Sequence, residues 1–293
     1  MWFFPPAPPA LGLLELFFCC IWQCHGVIMP WPACYSLFFH RSYLFGPLLI
    51  MTHSASQLSG PLSLESLRHA CENDAGLAPF CNDSKTLQGL FTYLSILQKW
   101  NKVMNLVGPY SWQEILRLLL VDSAWLAAFL AGLQRQEMLA PEPESWDLGA
   151  GAGLPGIPLR LLWEKGMYSL VDARQKRTLF LRTVLAAHIL PQTLVYEGRA
   201  EQFMPTRPNA DLVVSRAFMP WQDVLTLVGP HLAPGGVVVF LVLQPAPKQA
   251  DMAQATCGVP GLFGERWRVL GQQEYPVGGD SRFLWAVSLE SNG

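Results

Sequence analysis

The stretch of sequence that decides the fold is Trp-Asp-Leu-Gly-Ala-Gly-Ala-Gly-Leu-Pro-Gly-Ile-Pro, residues 146–158. Apolar residues lead into its first glycine, and its two prolines suit the first turn of a helix, where a missing N–H costs nothing. The stretch therefore predicts a strand, a glycine-rich turn, and a helix that begins between Gly153 and Pro158. Glycines at such a turn let a ligand approach bare backbone.

Short apolar segments separated by segments of helix length follow this turn. The strand candidates are residues 145–148, 168–171, 193–197, 211–215, 237–243, 267–275 and 283–289. Alternating strands and helices indicate a mainly parallel sheet. We therefore expect an α/β, doubly wound fold with seven strands and three long intervening helices.

Ahead of the glycine turn the apolar residues recur every three or four positions, which predicts helices. The three helical segments are residues 63–71, 83–100 and 111–132. Ser111 and Glu114 form the S-x-x-E pattern of a capping box at the start of the third segment. Prolines and acidic residues at 141–144 mark a connector. We expect a small helical cap at 58–140 and an α/β domain at 141–293.

The first fifty residues differ in composition from the rest of the chain. They hold 12 aromatic residues but only two that are charged at neutral pH, Glu15 and Arg41. Prolines stand where a signal peptide has its cationic start, and the apolar run 11–22 is shorter than the roughly 20 residues that span a membrane. We expect residues 1–57 to be an unmatched extension, with Met29 or Met51 as the start of a cytoplasmic protein.

The composition excludes several classes of protein. Charged residues make up 14% and hydrophobic residues 51%, which rules out disorder as the overall state. The net charge of −2 means that any nucleic-acid site must be a local patch. Seven cysteines without CxxC spacing argue against a disulfide framework or a metal site. We expect no metal and no membrane partner.

Two kinds of cofactor site remain open from the glycine turn alone. Residues 151–156 satisfy G-x-G-x-x-G, and Asp172 follows Gly151 by 21 residues, as in dinucleotide sites. An NAD-dependent oxidoreductase is therefore one interpretation. Asp147 extends the motif to D-x-G-x-G-x-G, and two long strands close the chain. These two features resemble the seven-stranded methyltransferases that use S-adenosyl-L-methionine.

The resemblance narrows to one family, the 16S ribosomal RNA guanine-N7 methyltransferases, also called glucose-inhibited division protein B. Its blocks occur in the family's order over about residues 60–290. They are Trp100-Asn101-Lys102, Asn105-Leu106, Val121-Asp122-Ser123, residues 147–158, Lys176-Arg177, Phe180-Leu181, Arg199-Ala200-Glu201 and Ser215-Arg216-Ala217. The resemblance implies a class I methyltransferase sheet, S-adenosyl-L-methionine as cofactor, and the small ribosomal subunit as partner. It leaves the oligomeric state open.

The resemblance also implies roles for individual residues. Asp147, Gly149, Gly151, Gly153 and Leu154 would form the loop that holds the methionine end of the cofactor. Asp172 would accept hydrogen bonds from the ribose hydroxyls, a role that suits a carboxylate. Ala200 and Glu201 would contact the adenine end. Arg216 would lie at the cofactor and act as the catalytic residue, and Asn101, Lys102 and Asn105 would shape the substrate entrance.

A cluster of basic residues follows the glycine turn. Between residues 160 and 182 there are six basic residues against two acidic ones, and they are Arg160, Lys165, Arg174, Lys176, Arg177 and Arg182. Such a cluster attracts a phosphate backbone. The N7 lone pair of guanine is unprotonated at neutral pH, so methyl transfer needs no general base. We therefore give His69, His188 and His231 no catalytic role.

The chain departs from the family pattern at several positions. Leu118 and Leu119 replace an Arg-His pair, Ala150 replaces Ser or Thr, and Gln244 stands where a lysine is usual. These changes indicate that polar or basic contacts to RNA or cofactor are missing there. They keep a second class of function open, a non-catalytic ribosome-assembly factor.

Overall fold

A seven-stranded mixed sheet forms the centre of the computed structural model, which describes residues 60–248 and 266–290. The strands are β1 (Ser145–Leu148), β2 (Tyr168–Asp172), β3 (Thr193–Glu197), β4 (Ala210–Arg216), β5 (Leu232–Val242), β6 (Arg266–Val277) and β7 (Asp280–Glu290). Their order in the sheet is β3-β2-β1-β4-β5-β7-β6. The seven predicted strands are all present, and the expected α/β class is confirmed.

The direction of the strands separates the sheet into two parts. Strands β1 to β5 pair in parallel, whereas β7 is antiparallel to both β5 and β6. Strands β6 and β7 form a hairpin. In it β6 takes the edge of the sheet, and β7, the last strand of the chain, lies between β5 and β6. The chain order reverses at β1, whose next neighbour along the sheet is β4, and ligands bind at such a switch point in open α/β sheets.

Helices cover the sheet and build the cap. They are α1 (Leu64–Glu72), α2 (Ser84–Met104), α3 (Trp112–Ile115), α4 (Val121–Arg135), α5 (Gly156–Leu162), α6 (Gln175–Ala187), α7 (Ala200–Phe203) and α8 (Trp221–Val228). A π-helical segment, Leu116–Leu120, joins α3 to α4. Helix α5 begins within the interval that the prolines predict.

Two expectations about the helices are wrong. Helix α2 continues to Met104, four residues beyond the predicted end, because Asn105 terminates it in the left-handed conformation with φ of 47°. The strands β1 to β5 are joined by four helices rather than three long ones, and among these four only α6 exceeds ten residues. Asn101 and Lys102 interrupt the apolar periodicity near the end of α2, so the pattern did not show where the helix ends.

The longest apolar helix belongs to the core. Residues Trp112–Arg135 run continuously as a 24-residue helix whose most apolar 18-residue window has a mean hydropathy of 1.7, enough in length and composition to cross a membrane. However, 61% of its most apolar window is buried inside the protein. Leu120, Leu126 and Leu130 are fully buried in the apolar core. Packing of the cap accounts for the composition of this helix.

Apolar side chains alternate between the two faces of the central strands. On β4, Leu212 and Val214 point into the core shared with the cap, whereas Val213 points into the core under α7 and α8. Burial on both faces is what parallel strands require. The expected extension 1–57, the two candidate start residues and the apolar run 11–22 lie outside the described residues, and the domain boundaries stay predictions.

Candidate active site

A cleft of about 480 Å³ opens at the carboxyl ends of β1 to β4. Its lining comes from the residues that follow each of these strands, namely Gly149, residues 171–174 with Arg177, residues 198–201, and residues 217–219. The volume lies within the usual range for small-molecule and cofactor sites. The cleft also lies at the switch point of the sheet, where the fold places ligands.

Gly149, the first glycine of the loop after β1, lines this cleft. Gly149, Gly151 and Gly153 have φ angles of 73°, 56° and 74°, a region that residues with side chains seldom adopt. A Cβ atom on Gly149 would lie 2.6 Å from Cδ2 of Phe218, a distance that real Cβ contacts do not show. The loop therefore presents bare backbone beside the Phe218 ring.

Asp172 fixes the loop from the end of β2. Its Oδ2 accepts the backbone N–H of Gly151 at 2.9 Å, and its Oδ1 accepts the N–H of Arg174 at 2.8 Å. The guanidinium of Arg177 lies 3.5 Å from Oδ2. A carboxylate offers about four lone-pair sites, so this one retains capacity to accept hydroxyl groups from a ligand in the cleft.

Ala200 and Glu201 stand at the first turn of α7, directly after β3. Both residues line the cleft, and Ala200 is buried whereas Glu201 is exposed. Their neighbours Gly198 and Arg199 line it as well. Gly149, Asp172, Ala200 and Glu201 are thus the predicted site residues that the structure brings together around one space.

Asp147 lies apart from this space, buried within β1. Its carboxylate accepts the backbone N–H of Gly156, and the Tyr168 hydroxyl lies 3.5 Å from its Oδ2. Burial raises the pKa of Asp147 to about 7. Asp147 therefore joins β1 to the start of α5 from beneath the loop. Gly153 packs against Ile157 of α5, and the half-buried Leu154 stands outside the lining of the cleft.

Arg216 ends β4, just before the three residues that line the cleft on that side. Its side chain is 19% exposed, and its Nη2 lies 2.9 Å from Oδ2 of Asp122. The next residue, Ala217, has φ of 51°, a conformation that costs free energy in a residue with a Cβ. Asp122 belongs to one of the family blocks in the sequence, but no sequence signal marks it as the partner of Arg216.

Two residues of the cap hold the glycine loop, and sequence analysis missed both roles. The buried hydroxyl of Tyr93 on α2 donates to the carbonyl of Ala152 at 2.8 Å. The hydroxyl of Ser123 on α4 donates to the carbonyl of Pro155 at 3.0 Å. Tyr93 sits in an ordinary apolar helix pattern, so no local signal marks it.

Two of the three residues expected at the substrate entrance make structural contacts. Asn101 is buried in α2, where its amide donates to the carbonyl of Pro109 at 3.0 Å and its Oδ1 accepts the N–H of Val107 at 2.9 Å. It closes the loop after α2. Asn105 caps the helix, and Lys102 is exposed on its last turn.

Only part of the predicted basic cluster lies on the surface. Arg160 is completely buried and makes five hydrogen bonds, four to backbone carbonyls and one to Thr193, so it is a structural residue. Lys165 pairs with Glu142, and Arg182 pairs with Glu197. The basic residues that line the cleft are Arg174, Arg177 and Arg199.

Sheet order, glycine loop and acidic strand end together define a class I methyltransferase dependent on S-adenosyl-L-methionine. A dinucleotide-binding sheet has the order 3-2-1-4-5-6, and the antiparallel β7 between β5 and β6 departs from it. The NAD-dependent interpretation is therefore wrong. Within the class, the family model described as rRNA small subunit methyltransferase G matches residues 86–274, and the chain belongs to that family.

Curated relatives carry the same name. The ribosomal RNA small subunit methyltransferase G of Nitratidesulfovibrio vulgaris strain DP4 is 49% identical over 72% of this chain and 92% of its own length. That of Lawsonia intracellularis is 43% identical over 72% of this chain and 91% of its own. A solved precorrin-6y C5,15-methyltransferase from Geobacter metallireducens is 16% identical, with a TM-score of 0.40 over 56% of this chain and 87% of its own. That likeness is too low to support an argument.

Proposed function

We propose that this protein transfers a methyl group from S-adenosyl-L-methionine to N7 of a guanine in the 16S RNA of the small ribosomal subunit, in the cytoplasm. The observation that carries the proposal is the cleft at the carboxyl ends of β1 to β4, walled by the glycine loop and floored by Asp172. The family name printed for the relatives supports the RNA substrate.

The residues of the cleft fit the cofactor. Gly149 leaves no room for a side chain, so a ligand meets its backbone directly. The remaining lone pairs of Asp172 suit ribose hydroxyls, and the apolar Ala200 beside the acceptor Glu201 suits an adenine with its exocyclic amine. When bound, S-adenosyl-L-methionine supplies a methyl group activated by a positively charged sulfur.

Methyl transfer to guanine N7 requires no proton transfer by the protein. Guanine N7 is a nucleophile at neutral pH without losing a proton, so its orientation carries most of the catalysis. In this proposal Arg216 orients the substrate at the mouth of the cleft, next to the strained Ala217. The cations of the cleft rim, Arg174, Arg177 and Arg199, attract RNA phosphates.

The decisive experiment measures cofactor binding and methyl transfer on the same preparation. We expect calorimetry to show binding of S-adenosyl-L-methionine, and tritium from its methyl group to enter small subunits isolated from cells that lack the enzyme. Mapping of the RNA should place the label on guanine N7. Label on another base would contradict the base assignment, and cofactor binding without transfer would favour the assembly-factor alternative.

A matched pair of glycine variants tests the location of the cofactor. Gly149 and Gly235 have nearly equal φ angles, 73° and 76°, but only Gly149 has a side chain within reach of an added Cβ. We expect Gly149→Ala to weaken cofactor binding at least about tenfold, equivalent to about 1.4 kcal/mol. Gly235→Ala carries the same backbone strain far from the cleft and should leave the affinity unchanged. Equal affinities for the two variants would place the cofactor elsewhere.

A further inference from the structure

Asp122 is the centre of a buried cluster of charged and polar groups beside the proposed site. Its Oδ2 lies 2.9 Å from Nη2 of Arg216 and 2.7 Å from Nη1 of Arg282. Its Oδ1 accepts a hydrogen bond from the Tyr275 hydroxyl at 3.0 Å and one from Nη1 of Arg282 at 2.8 Å. The Asp122 side chain is 2% exposed.

The cluster joins three distant parts of the chain. Asp122 begins the first turn of α4, Arg216 ends β4, and Tyr275 and Arg282 face it from the hairpin β6–β7. Nη1 of Arg282 also donates to the carbonyl of Leu118 at 2.8 Å, which fixes this guanidinium on the π-helical segment. The cap and the last hairpin therefore meet at the carboxylate of Asp122.

Residues of the cap hold the donors to Asp122 in place. Trp125 stacks on the Tyr275 ring, with centroids 5.6 Å apart and planes 28° from parallel. Burial and the nearby carboxylate raise the pKa of Tyr275 far above its ordinary value, so the phenol keeps its proton and donates. Asp122 is thus fixed by Tyr275 and Arg282 without any help from Arg216.

Arg216 differs from the other donors because the residue that follows it, Ala217, lines the cleft. The ion pair with Asp122 is the only ion pair or hydrogen bond of the Arg216 side chain that the structure gives among residues 60–248 and 266–290. A long arginine side chain loses much rotamer freedom when its head is held in one place. The fixed carboxylate removes that freedom before substrate arrives.

We infer that Asp122 is a positioning residue for methyl transfer, because its carboxylate, clamped by Tyr275 and Arg282, holds the Arg216 guanidinium at the substrate side of the cleft. The inference rests on the proposed function, in which Arg216 orients the RNA. Asp122 is buried and lies outside the lining of the cleft, so it acts through Arg216 and contacts neither cofactor nor base.

A double-mutant cycle between Asp122→Asn and Arg216→Met tests this inference. Single-turnover rates on small subunits are measured for wild type, both single variants and the double variant. We expect Asp122→Asn to lower the rate about tenfold to a hundredfold, since small misplacements cost that much. In the Arg216→Met background the same change should cost less than about twofold. Affinity for S-adenosyl-L-methionine should stay within about twofold in Asp122→Asn, because Asp122 lies outside the lining of the cleft.

Two further variants separate positioning from folding. Tyr275→Phe keeps every charge but removes one hydrogen bond to Asp122, so it should lower the rate less than Asp122→Asn does. Asp211→Asn weakens another carboxylate contact, to the N–H of Glu144 near the amino end of β4 and away from the cleft, and should leave the rate unchanged. Thermal melting of all variants shows how much folded protein each rate represents.

The outcomes distinguish failure of this inference from failure of the proposed function. An active wild type with an undiminished rate in Asp122→Asn overturns the inference alone. An Asp122→Asn loss that is equally large in the Arg216→Met background also overturns it, because the effect would then be structural. A wild type that binds cofactor but transfers no methyl group to the RNA overturns the proposed function and this inference with it.

Discussion

At the scale of single residues, Asp147 and Asp172 have different surroundings, although both belong to the predicted cofactor motif. Asp172 sits at the end of β2, where its carboxylate meets the loop and borders the cleft. Asp147 sits one residue before the end of β1 and is turned toward Tyr168 and the N–H of Gly156. A carboxyl group in that position is favoured in its neutral form, because burial disfavours charge.

The titration of Asp147 predicts how stability depends on pH. Burial raises the pKa of its carboxyl to about 7, against about 3.9 in an unfolded chain. Folding therefore takes up a proton between these values, and the free energy of unfolding falls as pH rises through this window, by up to about 1.4 kcal/mol per unit. This contribution is fully present below the lower value and lost above the upper one.

Urea unfolding at a series of pH values measures this contribution. We expect the stability of Asp147→Asn to vary less than that of wild type across the window, because the amide does not titrate. Asp223→Asn, on the exposed side of α8, is the control for removing a charge. Parallel curves for wild type and Asp147→Asn would contradict the prediction.

The different surroundings of these aspartates lie beyond what sequence spacing reveals. The motif predicts both as cofactor residues, because each stands at or near the end of a strand. Which face of β1 Asp147 occupies depends on packing against Tyr168, a residue 21 positions away in the chain. The glycines were predictable because their requirement is local, whereas the orientation of a strand side chain is settled by its neighbours.

At the scale of elements, α2 acts as a support for the glycine loop. Its Tyr93 reaches Ala152 of the loop, and Tyr93 and Trp100 both pack against Phe180 of α6. One helix of the cap thus contacts the two elements that follow β1 and β2. The cap is therefore part of what shapes the cleft.

Removing the hydroxyl of Tyr93 should loosen the loop. Tyr93→Phe leaves the buried carbonyl of Ala152 without its donor, which we expect to cost about 1–3 kcal/mol of stability. Cofactor affinity should fall as well, since the loop conformation is no longer held. Denaturant unfolding and calorimetry measure the two effects.

Tyr110→Phe provides the matched control for this change. Its hydroxyl also makes one side-chain hydrogen bond, to Asn105 at 3.0 Å, but on an exposed ring. Stability and cofactor affinity should be nearly those of wild type. A loss as large as that of Tyr93→Phe would show that the buried contact to Ala152 has no special importance.

The elements themselves were largely predictable, and the exceptions have physical causes. The parallel strands β4 and β5 contain continuous apolar runs, because both faces of a parallel sheet are buried. The π-helical segment Leu116–Leu120 has no sequence signature of its own, since its residues are ordinary helix formers. Arg160 misled the prediction of a basic surface, because its buried carbonyl partners come from residues 163–166 and Pro191.

At the scale of the whole molecule, charge is distributed unevenly. The chain carries a formal net charge of −2, yet Arg174, Arg177 and Arg199 line one cleft. We therefore expect a polyanion to be attracted to the carboxyl ends of the strands, where these arginines lie. Under the proposed function, these arginines would orient the RNA backbone toward the cofactor cleft.

The salt dependence of RNA binding tests this distribution. We expect binding of small-subunit RNA to weaken as salt rises, and Arg199→Gln to reduce the slope of log affinity against log salt by about 1. Arg135→Gln, exposed at the end of α4 shortly before β1 begins, is the control and should leave the slope unchanged. Equal slopes for the two variants would place the RNA on another surface.

The architecture followed from one local motif and a pattern of apolar runs, but the cluster around Asp122 did not. Its members Tyr275 and Arg282 are 153 and 160 positions from Asp122. No periodicity connects residues at such separations, and only the return of β7 to the inside of the sheet brings them to the cap. Long-range ion pairs are therefore the part of the site that required coordinates.

The hairpin β6–β7 also imposes an order on biosynthesis. The ribosome makes it after every other described strand, so a nascent chain can form the glycine loop while Asp122 still lacks Tyr275 and Arg282. The anchor of Arg216 is completed only when that last hairpin has emerged from the exit tunnel.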